Sequence, residues 1–140
     1  MFTSLLLAPL LALSTPARAD EAAADSCVKT KVLEGYNSGF AVRTIASSSL
    51  GQGEYKVYVV TLYAGTEYRI IACGDTEVAD ADLIVYDTLG NIVLRDMSQD
   101  REPSLSFTPT ATDTYYLWLS PSRLNNQTGK GAVTMALTYK

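Results

Sequence analysis

The residues best suited to chemistry in this sequence are acidic, sulfur-bearing and aromatic. Asp80, Asp82 and Asp87 lie within DADLIVYDTLGNIVLRD, residues 80–96. Asp80 and Asp82 are two apart, so on a strand both point to one face. With Asp75 or Glu77 from the preceding segment they could supply oxygen ligands to Ca²⁺, a hard cation that takes carboxylates. The spacing is not that of an EF-hand loop. The competing reading has the same aspartates accepting backbone N–H bonds and shaping the entry to the strand.

Tyr116 and Trp118 alternate with Tyr115, Leu117 and Leu119. An aromatic pair on an outer sheet face can stack on a sugar or hold a protein partner. The alternative is ordinary cross-strand packing. The chain has two cysteines and no histidine. Ser-His-Asp and Cys-His catalysis are thereby excluded, as are imidazole and four-thiolate zinc sites. In an oxidising compartment Cys27 and Cys73 read as one disulfide. A glycosidase pair needs two carboxylates across a cleft, whereas these lie on the loops of one small domain. The expectation is a protein that is not an enzyme.

The address is written at the start of the chain. Leu5 to Leu13 is an apolar run too short to span a bilayer. Ala17-Arg18-Ala19 is a small-x-small cleavage site, followed by Asp20-Glu21. Residues 1–19 therefore read as a signal peptide cut after Ala19, and the protein as periplasmic or secreted. Ala24-Asp25-Ser26-Cys27 makes a poor lipoprotein box, so no lipid is expected on Cys27. Without Arg18, residues 20–140 carry 11 − 1 = 10 Lys and Arg against 15 Asp and Glu. That acidic balance, with no basic stripe, disfavours nucleic acid and anionic membrane surfaces. No other apolar stretch approaches the length of a transmembrane segment.

These side chains must be positioned by a mostly β framework. Residues 20–25 read as an acidic, frayed leader. Val28, Val32, Tyr36 and Phe40 recur every four residues, which predicts a helix from about Cys27 to Tyr36. Residues 40–46 could continue it or form a short strand, and 47–53 (SSSLGQG) read as loop. About seven strands follow: 54–64, 67–73, 82–87, 91–95, 104–108, 114–120 and 132–139. Turns stand at Gly65-Thr66, at 87–91, where Gly90 and Asn91 tolerate positive φ, and at 109–113. A loop fills 121–131. Regular short strands with turn signals between them argue for an antiparallel sandwich. The division is signal peptide, then a leader with helix and loop over 20–53, then a sandwich over 54–140.

Val60 to Gly65 (VTLYAG), Tyr68-Arg69-Ile70, Asp80-Ala81-Asp82-Leu83, Gly90-Asn91, Leu105-Ser106-Phe107-Thr108 and Asp113-Thr114-Tyr115-Tyr116-Leu117 follow in that order. In order and spacing this resembles the bacterial pre-peptidase C-terminal domain family. The resemblance covers roughly residues 54–140. It implies a jelly-roll-like β-sandwich of the kind appended to secreted proteases, some of which bind calcium. The chain departs from the pattern where the family usually has Gly and here Asp113 stands, a residue that tolerates left-handed φ. It also carries no peptidase domain and adds an N-terminal helix. The resemblance thus implies a free-standing module that binds a protein, peptide or glycan partner, or else a calcium-stabilised adhesion module.

One geometric expectation joins these readings. In 54–64, Tyr58, Val60 and Leu62 take the core register, yet Tyr55, Val57, Val59 and Tyr63 opposite are just as apolar. A strand with one wet face should alternate apolar with polar, so a cover is expected there. On the next strand Tyr68, Ile70 and Ala72 face the core, and Ile71 and Cys73 the other side. A Cys27–Cys73 disulfide would then pin the helix across that outer face.

Overall fold

A computed structural model describes residues 19–140. The expected signal peptide lies, except for Ala19, outside the described residues. The chain forms α1 (Glu21–Tyr36), β1 (Ala41–Gly51), β2 (Lys56–Leu62), β3 (Tyr68–Gly74), β4 (Val78–Tyr86), β5 (Ile92–Asp96), β6 (Ser104–Phe107), β7 (Asp113–Leu124) and β8 (Lys130–Tyr139). The strands make two antiparallel four-stranded sheets, ordered β1-β8-β3-β6 and β2-β7-β4-β5. This is the expected β-sandwich with one N-terminal helix. Among the described residues no helix is long and apolar enough to cross a membrane.

Alternation builds the core between the sheets. Leu62, Tyr68, Ile70, Leu83, Val85, Leu117, Leu119, Met135 and Leu137 are buried there, with Tyr58 and Val60 packed against them. The registers expected for residues 58–62 and 68–72 are those found. Turn chemistry also holds at Gly65 and Gly90, which have φ of 78° and 80°. Asn91 and Asp113 do not use the left-handed region; among the described residues every positive φ falls on glycine. Asp113 instead opens β7 with its carboxylate accepting the Thr114 N–H.

Several boundaries differ from expectation; β4, for one, starts at Val78 rather than at 82. Residues 20–25 are not a frayed leader. Asp20 caps α1 by accepting the Ala23 N–H, and Ala22 to Ala24 are the best helix formers available. Residues 47–53 are not all loop, since the serines of 47–49 continue β1 and pair with Ala132 to Thr134. The sandwich therefore begins at Ala41, not Glu54. The Ser47 hydroxyl meets that of Thr134 at 2.7 Å, and Ser49 donates to Glu21 of the helix. β7 also runs past Ser120 through Pro121 to Leu124, where shifts in its register against β4 absorb the proline.

The disulfide Cys27–Cys73 is present, with Cα atoms 6.1 Å apart. It leaves Cys27 no free sulfur for a lipid. It pins α1 on the outer face of the first sheet, where Val28, Ile71, Cys73 and Ala136 form a second small core. The predicted stripe holds at Val28, but Tyr36 is exposed. A spacing of four overshoots the 3.6-residue turn by about 40° per step, which rotates Tyr36 off the face by its second step from Val28. Phe40 is buried beyond the helix, under the Arg69 guanidinium.

The cover expected over Tyr55, Val57, Val59 and Tyr63 is absent among the described residues. Gly65-Thr66 does not close a hairpin within one sheet; it carries the chain from β2 in the second sheet to β3 in the first. The disulfide tethers the helix to β3, so it covers β3, β8 and β1. Tyr55 and Val59 remain 59% and 64% exposed.

Candidate functional site

The outer face of the second sheet is the candidate site. Strand pairing arranges it in rows. One row runs Val57, Trp118, Ile84, Arg95; the next runs Val59, Tyr116, Tyr86, Ile92. With strands about 4.8 Å apart, each row spans roughly 14 Å. The Tyr55 ring leans on Trp118 with centroids 5.7 Å apart and planes 30° apart. Tyr116, Trp118 and Tyr86 are half-buried and Ile84 is buried beneath them. The face carries hydroxyl and indole N–H groups at the edges of apolar rings. Such a surface can hold a ligand by stacking and buried area.

The structure puts Tyr116 and Trp118 where the sequence placed them, opposite buried Tyr115, Leu117 and Leu119. Their neighbours Val57 and Val59 were legible as apolar, but the sequence read them as covered. The signal that they belong to one open surface is the pairing of β2 with β7, which no local pattern encodes.

Asp80 and Asp82 stay neighbours, whereas Asp75 and Asp87 are engaged in other loops. Asp82 pairs with Ser120 at the border of the aromatic face, and Asp80 sits beside it in a bulge of β4. Asp82 is buried, and its carboxyl is pushed above the usual range, first by burial and then by the charges of Asp80 and Asp96. Oδ1 of Asp80 is buried and has no hydrogen-bond partner among the described residues. Asp87 lies in the β4–β5 turn and accepts the Asn91 and Leu89 N–H groups at 2.9 Å each. These bonds, that from Asn91 foremost, hold it below the usual range.

Asp75 accepts from the backbone N–H groups of Asp20 (2.7 Å), Glu77 (3.0 Å) and Ala132 (3.1 Å). It fastens the start of α1 and the start of β8 to its own loop. Asp75 and Asp87 thus have oxygens committed to backbone donors, which is the loop-shaping reading of these acids. Among the described residues, the grouping of three metal-ligand side chains within 4.8 Å of one another is Cys27, Cys73 and Glu102. Its sulfurs are bonded to each other.

A groove of about 360 Å³ runs between α1 and the β3–β6 edge, lined by Lys31, Glu34, Arg69, Ile71 and Glu102. Its charges are mixed, and Lys31 reaches Glu102 at 3.5 Å. Compared with known proteins, the chain matches no family model and no curated protein.

Proposed function

We propose that this is an exported, non-catalytic β-sandwich module that holds a protein, peptide or glycan partner on the open face of its second sheet. The observation that carries the proposal is the apolar surface of exposed Tyr55, Val57 and Val59 beside half-buried Tyr116 and Trp118, on a sandwich whose other outer face carries α1. A disulfide fits an oxidising compartment. We read the module as a relative of the pre-peptidase C-terminal domains, on the motifs of residues 60–117.

The chain has one tryptophan, and it lies on this face. Its emission is therefore a direct reporter. Titration with soluble oligosaccharides and with extended peptides should change Trp118 fluorescence for one class, and Tyr55→Ala should weaken that response. Saturating titrations of both classes that leave the emission unchanged would reject the proposal.

A calcium-stabilised adhesion module is the second reading, favoured by the orphaned Oδ1 of Asp80 beside Asp82. Free Ca²⁺ at a hundred times its dissociation constant would then add about 2.7 kcal/mol. Melting in millimolar CaCl₂ against EDTA tests it, and equal midpoints would retire it.

A further inference from the structure

Among the described residues β2 is an edge strand, paired only with β7. In an antiparallel ladder the N–H and C=O of one residue point the same way, and successive residues alternate. Two bonds fix which way β2 faces. The Thr61 carbonyl accepts from the Arg43 guanidinium of β1, and the Tyr63 N–H donates to the Tyr68 hydroxyl at 2.9 Å. Neither partner is on β7. The odd-numbered residues of β2 therefore turn their backbone groups outward, away from the sheet. Thr61 and Tyr63 are stopped in part by side chains. The N–H and C=O groups of Val57 and Val59 have no partner among the described residues.

We infer that β2 takes an additional strand from an extended, acidic peptide, which pairs with the backbone of Val57 and Val59 and lays its alternate side chains beside the aromatic face. This rests on the binding reading above and names its partner class. Unpaired N–H and C=O groups at strand spacing match another extended backbone and nothing else so well. A glycan could stack on the rings but would leave this edge unmatched.

Charge selects an acidic occupant. Arg43 stands at one end of the open edge and Lys56 at the other, both exposed; Glu54, near Lys56, has its carboxylate engaged by the Gly51 N–H. The ion pairs among the described residues, Lys29–Asp25 and Lys31–Glu102, involve neither. Arg43 is the residue that the register skips between Val42 and Thr44 of β1. That irregularity aims its side chain across to the other sheet. One of its donors is used on Thr61, which leaves the rest of the guanidinium fork for a carboxylate. Beside it an apolar pocket of about 280 Å³ is lined by Arg43, Tyr63, Tyr68 and Tyr139.

The same charges argue against a second copy. Two-fold pairing of β2 with itself through Val57 and Val59 would put each Thr61 opposite the other Tyr55. Each Arg43 would then lie against the other Lys56, giving two like-charge contacts in one short ladder. An acidic peptide meets both cations favourably.

The probe is a peptide of about seven residues that alternates Val and Thr and carries Glu at both ends. Two controls are the same peptide N-methylated at alternate residues and one with Lys at the ends. Hydrogen exchange at Val57 and Val59 and calorimetric affinity are the readouts. The acidic peptide should slow exchange at both amides about tenfold. N-methylation on the pairing edge should abolish binding, and Lys ends should weaken it about tenfold. Val59→Pro removes an outward N–H without touching the β7 ladder, as an edge strand tolerates, and should cost at least about tenfold in affinity.

Unchanged exchange at Val57 and Val59, or equal binding of the N-methylated peptide, overturns the inference, and the latter needs no variant to fold. Concentration-dependent dimerisation that Val59→Pro abolishes overturns it in favour of a second copy. Binding that is lost in Trp118→Ala but kept in Val59→Pro removes the edge inference and leaves the open-face reading standing.

Discussion

The two outer faces of this sandwich began from similar chemistry and ended differently. On the first sheet, Ile71, Cys73 and Ala136 lie under α1, and Val28 seals the seam. On the second, Val57, Val59, Tyr116 and Trp118 have no cover among the described residues. The difference lies less in apolarity than in tethering. The first face has a covalent link to its cover and small residues over which a helix can approach closely. The serines of β1 and Ala136 of β8 serve that approach. The second face has bulky rings and β-branched side chains and no tethered cover among the described residues.

The largest effect should come from cutting the tether. In the loop-entropy model a disulfide spanning 46 positions contributes about 4 kcal/mol. Cys27→Ser with Cys73→Ser should lower the urea midpoint accordingly and raise exchange throughout α1. A midpoint within error of the parent protein would show that packing alone holds the helix. Next comes a matched pair of truncations. Val28→Ala removes two buried methyl groups and should cost about 1.5–3 kcal/mol. Val59→Ala, on the open face, should stay within about 0.5 kcal/mol. Equal costs in chemical denaturation would mean that the open face is covered after all.

A smaller effect concerns the acidic border of the open face. Asp82 has its folded-state pKa raised by burial and by Asp80 and Asp96. Its protonated form is favoured in the fold. The stability this confers is complete below the ordinary value of 3.8 and is lost as pH rises through the folded pKa. Asp82→Asn should therefore melt higher than the parent at pH 7, and the gap should close in acid below 3.8. A variant less stable at pH 7 would indicate that the carboxylate is held by a favourable partner. The smallest shift is expected from Val59→Lys, which should leave the melting midpoint nearly unchanged while abolishing any Trp118 response to ligand.

Much of this was legible in the chain. Period-two alternation gave the inward register of β2, β3 and β7, because burial between sheets demands it at every second residue. The disulfide followed from two cysteines in a chain that reads as exported. What was not legible was which strands share a sheet. Tyr63 to Glu67 looks like a hairpin turn, and only long-range pairing of β2 with β7 and β3 with β8 makes it a crossing between sheets. The covered and open faces were merged for that reason. The helix start was missed although its capping aspartate and alanines were in view, because an acidic, alanine-rich stretch also resembles a loose tail. The serine run was missed because serine favours turns locally, while the ladder with β8 overrides that preference.

Asp75 has a consequence that reaches back to the birth of the protein. It accepts the Asp20 backbone N–H at 2.7 Å and is itself buried. Under the signal-peptide reading, cleavage after Ala19 would turn that amide into an α-ammonium. A neutral donor would become a cation with three protons, facing a carboxylate that two other backbone amides already orient. Charge-assisted bonds of this kind are roughly twice as strong as neutral ones. The act of processing would then tighten the latch that holds α1 over its sheet, and an acetylated Asp20 would leave it at its precursor strength.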